Sequence, residues 1–241
     1  MIHALINRVR YDLPAGTSML EALSAAGIRL PALCHDQRLA ASGACRSCLV
    51  RINGHARPVA ACATRLADGM YVETDTPDLE PGRRSLLHML VRHYPASALQ
   101  RFPDKPFHRA IDEHRLGGEA ATEVPDPGAQ DLSHPYIAVD MSRCIDCYRC
   151  VRICDEVQGQ FVWHVRNRGV ETRIVPDGPT LFESSCVSCG ACVDTCPTGA
   201  LEDRRSLVST PSQWTRTVCP YCGVGCELSV GTRDARIVEV K

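Results

Sequence analysis

Apolar and polar side chains alternate at the start of the chain. This alternation begins at Ile2 and predicts one β-strand over residues 2–10. Thr17 or Ser18 is placed to cap a helix, and Glu21 would complete a capping box with Ser18. The chain therefore begins with a strand followed by a helix.

Three further strands are predicted in the first hundred residues, at 49–53, 59–64 and 70–74. The second of these segments contains Cys62. A helix is predicted over 83–94, because its leucine and valine side chains fall on one side. The order of strand, helix, long loop and further strands is typical of a β-grasp domain.

The second half of the chain is patterned differently. Residues 117–133 are rich in glycine, proline and acidic side chains without an apolar period, which predicts a linker or an extended strap. Segments 161–165 and 171–175 predict a β-hairpin. Segments 228–230 and 236–240 predict two short strands around a turn.

Composition and charge narrow the possible partners. Aromatic residues make up only 5% of the 241 residues, and the formal net charge is −1 without a basic run. Nucleic acid is therefore not an expected partner. No segment resembles a signal peptide or a membrane span, so we expect a cytoplasmic protein. In that reducing compartment, cysteines are expected to bind metal and not to form disulfides.

Fifteen cysteines fall into four groups with regular spacing. Three groups contain four thiols and the last contains three. Sets of four thiolates are what iron–sulfur clusters require. The groups are Cys34, Cys45, Cys48 and Cys62; Cys144, Cys147, Cys150 and Cys154; Cys186, Cys189, Cys192 and Cys196; and Cys219, Cys222 and Cys226.

The first group has ten, two and thirteen residues between its successive cysteines, and small residues surround Cys45 and Cys48. Small residues let backbone N–H groups approach cluster sulfurs. This region resembles the [2Fe–2S] domain of the large iron–sulfur subunit of complex I. The alternative is a zinc site, although zinc ribbons usually contain two close cysteine pairs.

The second and third groups form an internal repeat. Each cysteine of the Cys144 group recurs 42 residues later, with two, two and three residues between the thiols. This spacing is typical of ferredoxins with two [4Fe–4S] clusters, in which the fourth cysteine of each motif crosses to the other cluster. We therefore assign one cluster to Cys144, Cys147, Cys150 and Cys196, and the other to Cys186, Cys189, Cys192 and Cys154. Two zinc sites are the less suitable alternative.

The fourth group, Cys219-Pro220-Tyr221-Cys222 with Cys226, resembles the opening of the catalytic subunit of molybdopterin-dependent formate dehydrogenases. In that family a further cysteine completes a [4Fe–4S] site beside the pterin. Residues 227–241 contain no cysteine. Three thiols would hold a [3Fe–4S] cluster, or a [4Fe–4S] cluster with a ligand from elsewhere; a zinc knuckle is the alternative.

His93 occupies the histidine position of a further cluster site in complex I and in NAD-reducing hydrogenases. The resemblance places that site's three thiols at Ser97, Gln100 and Pro106, none of which is a thiol ligand. We therefore expect a structural role for His93, and the same for His88.

These observations predict an α+β protein in five parts. They are a β-grasp [2Fe–2S] ferredoxin domain, a helical remnant without cluster ligands, a linker, a two-[4Fe–4S] ferredoxin domain and the start of a molybdopterin-oxidoreductase [4Fe–4S] module. The expected ranges are 1–78, 79–116, 117–135, 136–208 and 209–241.

As a whole, the chain resembles the electron-transfer region of a cytosolic NAD-dependent formate dehydrogenase. The resemblance implies a molybdenum or tungsten bis-pterin centre for formate oxidation and an FMN/NAD module, each on a partner chain or a missing domain. The chain itself contains no catalytic centre of this kind. The alternative is a diaphorase-type iron–sulfur subunit of an NAD-reducing hydrogenase or a complex I-like enzyme.

Overall fold

The computed structural model describes residues 1–122, 130–204 and 211–240. Its first domain is a five-stranded sheet in the order β2-β1-β5-β3-β4, with helix α1 packed on it. The elements are β1 Ile2–Ile6, β2 Val9–Leu13, α1 Met19–Ala25, β3 Leu49–Ile52, β4 Val59–Ala60 and β5 Met70–Glu73. β1 and β5 are parallel, and the other neighbours are antiparallel.

Two local predictions for this domain are wrong. Residues 2–10 form the hairpin β1–β2, because Asn7 and Arg8 have φ angles of 47° and 71° and reverse the chain. Cys62 lies in a 3₁₀ turn, Ala61–Ala63, that follows the short β4. The predicted capping box is confirmed, since Ser18 and Glu21 exchange hydrogen bonds at the start of α1.

Three helices follow: α2 Leu79–Val91, α3 Ala96–Arg101 and α4 Pro106–Glu113. The predicted helix is confirmed, but it begins earlier and ends before His93. A second apolar core joins these helices, with Leu87, Tyr94 and Phe107 fully buried. Leu33, from the loop after α1, packs in the same core.

The part of the chain from β6 to β10, which we call the ferredoxin-like domain after its sequence resemblance, contains a three-stranded sheet, β10-β7-β6, and the hairpin β8–β9. Its elements are β6 Gln130–Asp131, β7 Ile137–Asp140, α5 Arg149–Arg152, β8 Trp163–Arg166, β9 Arg173–Pro176, α6 Ala191–Thr195 and β10 Leu201–Asp203. A π-helical turn, Ile153–Val157, continues α5. The predicted hairpin is confirmed, with Arg166 opposite Arg173.

The predicted linker is only partly tested, because residues 123–129 lie outside the described residues. Its end is structured: Gln130–Asp131 pairs with β7, and an Asp131 carboxylate oxygen accepts a 2.7 Å hydrogen bond from the Leu181 amide. This part of the strap is therefore an edge strand of the ferredoxin-like domain.

The last described residues form a separate antiparallel sheet, β11-β12-β13. Its strands are β11 Gln213–Val218, β12 Glu227–Arg233 and β13 Arg236–Val240. The two predicted strands are confirmed: β12 is longer than predicted, β13 has the predicted bounds, and β11 was not predicted. Across the described parts of the chain, no helix combines the length and apolar character that a bilayer span requires.

Candidate iron–sulfur sites

The first cysteine group is brought together between α1 and the sheet. Cys34, Cys48 and Cys62 are buried and Cys45 is half-buried. The Cys45 and Cys62 thiols lower the pKa of Cys34, and the Cys62 thiol lowers the pKa of Cys48. The four predicted ligands of this group are therefore neighbours in the structure.

Donors converge on the Cys34 sulfur. The Cys45 amide and the Ser42 hydroxyl each lie 3.5 Å from Cys34 Sγ. Gly43 makes this approach possible, since its φ is 60° and an added Cβ would lie 3.4 Å from Ala60 Cβ. Thiol hydrogen bonds from Cys45 and Cys62 hold the pKa of Cys34 well below its usual value. A thiolate stabilised in this way is a ready metal ligand.

The two repeated cysteine motifs have matching backbone conformations. Asp146 and Ser188, at equivalent positions, have φ angles of 51° and 59°, and each donates its amide to the first cysteine sulfur of its motif at 3.4 Å. Tyr148 and Gly190, two residues further on, have φ angles of 58° and 75° and begin α5 and α6. The sequence repeat is therefore also a repeat of left-handed turns and N–H···S contacts.

The fourth cysteine of each motif lies with the other motif. The charge of Cys196 raises the pKa values of Cys144, Cys147 and Cys150, although burial is the largest cause. Cys154 lines one cavity together with the first three cysteines of the second motif, Cys186, Cys189 and Cys192. The arrangement in space is the one that crossed ligation requires.

Burial is the largest cause of the raised pKa in five of these thiols: Cys144, Cys147, Cys150, Cys186 and Cys192. It raises the pKa of Cys147 and of Cys192 to about 12. A thiol in such surroundings is neutral unless a cation offsets the cost of burying the thiolate. A coordinating metal removes the proton from a thiol. Four convergent soft donors with amide donors to sulfur therefore fit an iron–sulfur cluster at each of the two sites.

The fourth cysteine group lies on the connection between β11 and β12. The Cys219 amide donates to the Cys226 carbonyl at 2.8 Å and closes this loop. Cys222 and Cys226 are exposed, and Tyr221, directly before Cys222, is 94% exposed. The structure brings the two ends of the motif together and leaves its thiols accessible.

His93 is exposed on the connection after α2. His88 pairs with Glu119, with 3.4 Å between Nε2 and Oε2. The His88 contact does not involve a cysteine. The structural role expected for both histidines stays a prediction.

The sequence analysis missed a polar contact between the first two sites. Asp36, two residues after Cys34, accepts a hydrogen bond from Thr195 at 2.8 Å. Thr195 directly precedes Cys196. No local pattern indicates this pair, because the two residues are distant along the chain.

Three known domain families match the chain. The 2Fe-2S iron-sulfur cluster binding domain matches residues 1–77. The ferredoxin-like domain of NADH-quinone oxidoreductase subunit 3 matches residues 134–202. The molybdopterin oxidoreductase Fe4S4 domain matches residues 212–241. The predicted fold class is thereby confirmed: a 2Fe–2S ferredoxin domain, a ferredoxin-like 4Fe–4S domain and a molybdopterin-oxidoreductase Fe4S4 domain.

Individual relatives agree with this class. The chain is 35% identical to a subunit of an NADH-quinone oxidoreductase of Rhizobium meliloti, over 100% of this chain and 29% of that protein. It is 33% identical to the alpha subunit of the NADPH-Fe(3+) oxidoreductase of Geobacter sulfurreducens, over 93% of this chain and 27% of that protein. The chain thus spans less than a third of these curated relatives.

A solved structure covers most of the chain. One chain of an NAD+-reducing [NiFe]-hydrogenase in the H2-reduced state superposes with a TM-score of 0.74 and 26% identity, covering 87% of this chain and 90% of that one. The fold and sites define a protein built from iron–sulfur cluster domains. More particularly, the chain is similar to a region of NADH-quinone oxidoreductase subunits and to one chain of the NAD+-reducing [NiFe]-hydrogenase.

Proposed function

We propose that this chain relays single electrons within a multi-subunit oxidoreductase, through the cysteine sites described above. The observation that carries the proposal is the continuity of these sites. Asp36, two residues after Cys34, accepts a 2.8 Å hydrogen bond from Thr195, which directly precedes Cys196. Cys154, the last cysteine of the first repeated motif, lines a cavity with Cys186, Cys189 and Cys192. Each thiol set therefore adjoins the next, as a relay requires.

The chain's own residues would hold and tune the clusters. The proposed ligands are Cys34, Cys45, Cys48 and Cys62 for a [2Fe–2S] cluster, and the two crossed sets of Cys144, Cys147, Cys150 with Cys196 and Cys186, Cys189, Cys192 with Cys154 for [4Fe–4S] clusters. When bound, such clusters supply one-electron oxidation and reduction. Amides of Cys45, Asp146, Val162 and Ser188 donate to cysteine sulfurs and favour the thiolate form.

In finer detail, we propose that the relay connects a molybdenum or tungsten bis-pterin site for formate and carbon dioxide with a flavin/NAD module. The Cys219-Pro220-Tyr221-Cys222 motif and the molybdopterin oxidoreductase Fe4S4 match over residues 212–241 support the pterin side. The match to an NADH-quinone oxidoreductase ferredoxin-like domain supports the NAD side. Cys219, Cys222 and Cys226 would then hold a third [4Fe–4S] cluster or a [3Fe–4S] cluster at the pterin end.

A second candidate is an iron–sulfur subunit of diaphorase type in an NAD-reducing hydrogenase or a complex I-like enzyme. The superposition on a chain of the NAD+-reducing [NiFe]-hydrogenase, of which 90% is covered, favours it. Both candidates use the first twelve cysteines in the same way and differ in the terminal site and in the enzyme with which the chain exchanges electrons.

Metal analysis tests the relay itself. Chain purified anaerobically is expected to be brown and to contain iron and acid-labile sulfide. Stoichiometric zinc with neither iron nor sulfide would refute the electron-transfer proposal.

Isolation from the native host, with partners retained, tests the finer proposal. We expect a pterin-containing subunit or domain and a flavin subunit to copurify with the chain. We also expect the complex to reduce NAD with formate. Copurification of a [NiFe] subunit with hydrogen-dependent NAD reduction, and no pterin, would favour the second candidate.

A further inference from the structure

A buried polar cluster joins the Cys34 loop to the ferredoxin-like domain. Asp36, Arg149 and Thr195 are 8%, 9% and 1% exposed. The Thr195 hydroxyl lies 2.8 Å from Asp36 Oδ2 and 2.9 Å from Arg149 Nε. It therefore donates to the carboxylate and accepts from the guanidinium. We name this cluster the Asp36–Thr195–Arg149 node.

Two guanidinium groups balance the buried carboxylate. Arg149 Nη2 lies 3.3 Å from Asp36 Oδ2, and Arg38 contacts both carboxylate oxygens at 2.8–2.9 Å. Arg38 also pairs with Asp194 at 2.8 Å. A buried charge with complete hydrogen bonding holds one geometry, because any displacement leaves it unpaired.

Each member of the node lies within two residues of a proposed cluster ligand along the chain. Asp36 is two residues after Cys34, Arg149 directly precedes Cys150, and Thr195 directly precedes Cys196. Hydrogen bonds from Thr195 at 2.8 Å and from Arg149 at 3.3 Å to Asp36 thus connect the peptide segment of the first site with those of the second.

We propose that Thr195 is a positioning residue for electron exchange between the Cys34 site and the site that contains Cys196. This inference rests on the proposed relay function. In the exchange, one electron leaves one cluster and enters the other, so the first is oxidised and the second reduced by one electron. No bond forms or breaks and no proton is needed. The hydroxyl fixes the separation of the two ligand segments and provides the hydrogen-bonded route between them.

The loop that follows Cys34 is also attached to the ferredoxin-like domain by contacts outside the node. The Ala40 amide donates to Glu156 at 3.0 Å, and Arg152 donates to the Ala40 carbonyl at 2.5 Å. Leu39 packs in the apolar core of the ferredoxin-like domain. Loss of the Thr195 hydroxyl is therefore expected to move the loop locally without detaching it.

The test uses Thr195→Val, which keeps the side-chain volume and removes the hydroxyl, with Thr195→Ser as the matched control. Both are made in the full chain with its clusters and native partners. After flash photoreduction, exchange between the [2Fe–2S] and [4Fe–4S] signals is followed in time. Thr195→Val is expected to slow it severalfold, because the change removes the shorter of the two hydrogen bonds that join Asp36 to the segments of the second site. Thr195→Ser is expected to stay within about twofold, since its hydroxyl still reaches both partners.

A second readout is the EPR interaction between the two reduced clusters, which a purely structural role would not alter when iron and sulfide are complete. Thr195→Val is expected to weaken it. An unchanged rate and unchanged interaction, with full iron and sulfide, would overturn the inference. Absence of clusters from the unsubstituted chain would instead overturn the proposed function.

Discussion

The hydroxyl oxygen of Tyr94 lies 2.9 Å from the carbonyl oxygen of Thr198 and 2.6 Å from Nε2 of His108. Tyr94 is fully buried, and burial raises its pKa, so the phenol remains protonated and donates. Thr198 comes two residues after Cys196. This contact therefore attaches the helical segment to the part of the ferredoxin-like domain that carries a crossing cysteine.

Tyr94→Phe is expected to destabilise the protein. The substitution leaves the Thr198 carbonyl and His108 without their hydroxyl partner, and an unsatisfied buried polar group costs about 1–3 kcal/mol. Anaerobic denaturant unfolding measures the change. Tyr71→Phe is the matched control, because the Tyr71 hydroxyl contacts only the half-exposed Glu73 at 3.0 Å. Equal effects of the two substitutions would contradict the prediction.

His108 is expected to make the protein sensitive to acid. Burial lowers its pKa, and nearby Lys105 and Arg143 lower it further. Its Nδ1 lies 2.5 Å from the Phe102 carbonyl and donates to it, and its Nε2 lies 2.6 Å from the Tyr94 hydroxyl. The unfolded chain, with a histidine pKa near 6.5, binds the proton more readily. Stability should therefore rise with pH up to about 6.5 and fall on acidification below it.

Replacing His108 by Gln should flatten that part of the pH profile. The measurement is the difference in melting temperature between about pH 5 and pH 7.5, on either side of the unfolded-state pKa. His55→Gln is the control, since His55 is exposed. A profile that is unchanged in His108→Gln would show that other groups cause the acid sensitivity.

Ser18→Ala is expected to weaken the first domain by about 1 kcal/mol, the usual cost of losing a helix N-cap. The Ser18 hydroxyl accepts from the Glu21 amide at 3.2 Å, and the Ser18 amide donates to Glu21 at 2.8 Å. Ser24→Ala, on the exposed face of the same helix, serves as the control. Denaturant unfolding should separate the two; a Ser24→Ala effect as large as that of Ser18→Ala would argue against capping.

Crossed ligation predicts which cluster each substitution damages. Cys154→Ala should affect the cluster held by Cys186, Cys189 and Cys192, because Cys154 lines their cavity. Cys196→Ala should affect the cluster held by Cys144, Cys147 and Cys150. EPR of the reduced variants distinguishes the two sites, and the reverse assignment would refute the crossing.

The cysteine repeat was the most predictable part of the molecule. Cluster ligation requires fixed spacing, and that spacing is visible in the sequence at Cys144 and again at Cys186. The hairpin around residue 170 was predictable for a similar reason, since alternating apolar residues flank it. These features are local along the chain, and local features leave a pattern.

Other features had no local pattern. The turn at Asn7 and Arg8 interrupts an apolar alternation without glycine or proline, so the two strands were predicted as one. Cys62 was assigned to a strand because its neighbours are apolar, yet the chain turns there so that the thiol reaches Cys34 and Cys48. The Asp36–Thr195 contact depends on how two domains meet, which no periodicity reveals.

The parallel pairing of β1 with β5 also concerns how the protein is made. β1 is synthesised before its inner neighbour β5, at residues 70–73. All four thiols of the first site lie between these strands along the chain. At about 5–20 residues per second, translation leaves an interval of seconds between the two strands. Cys34, Cys48 and Cys62 are buried in the folded domain. We therefore expect this interval to be a window in which iron and sulfide can reach the thiols before β5 closes the sheet.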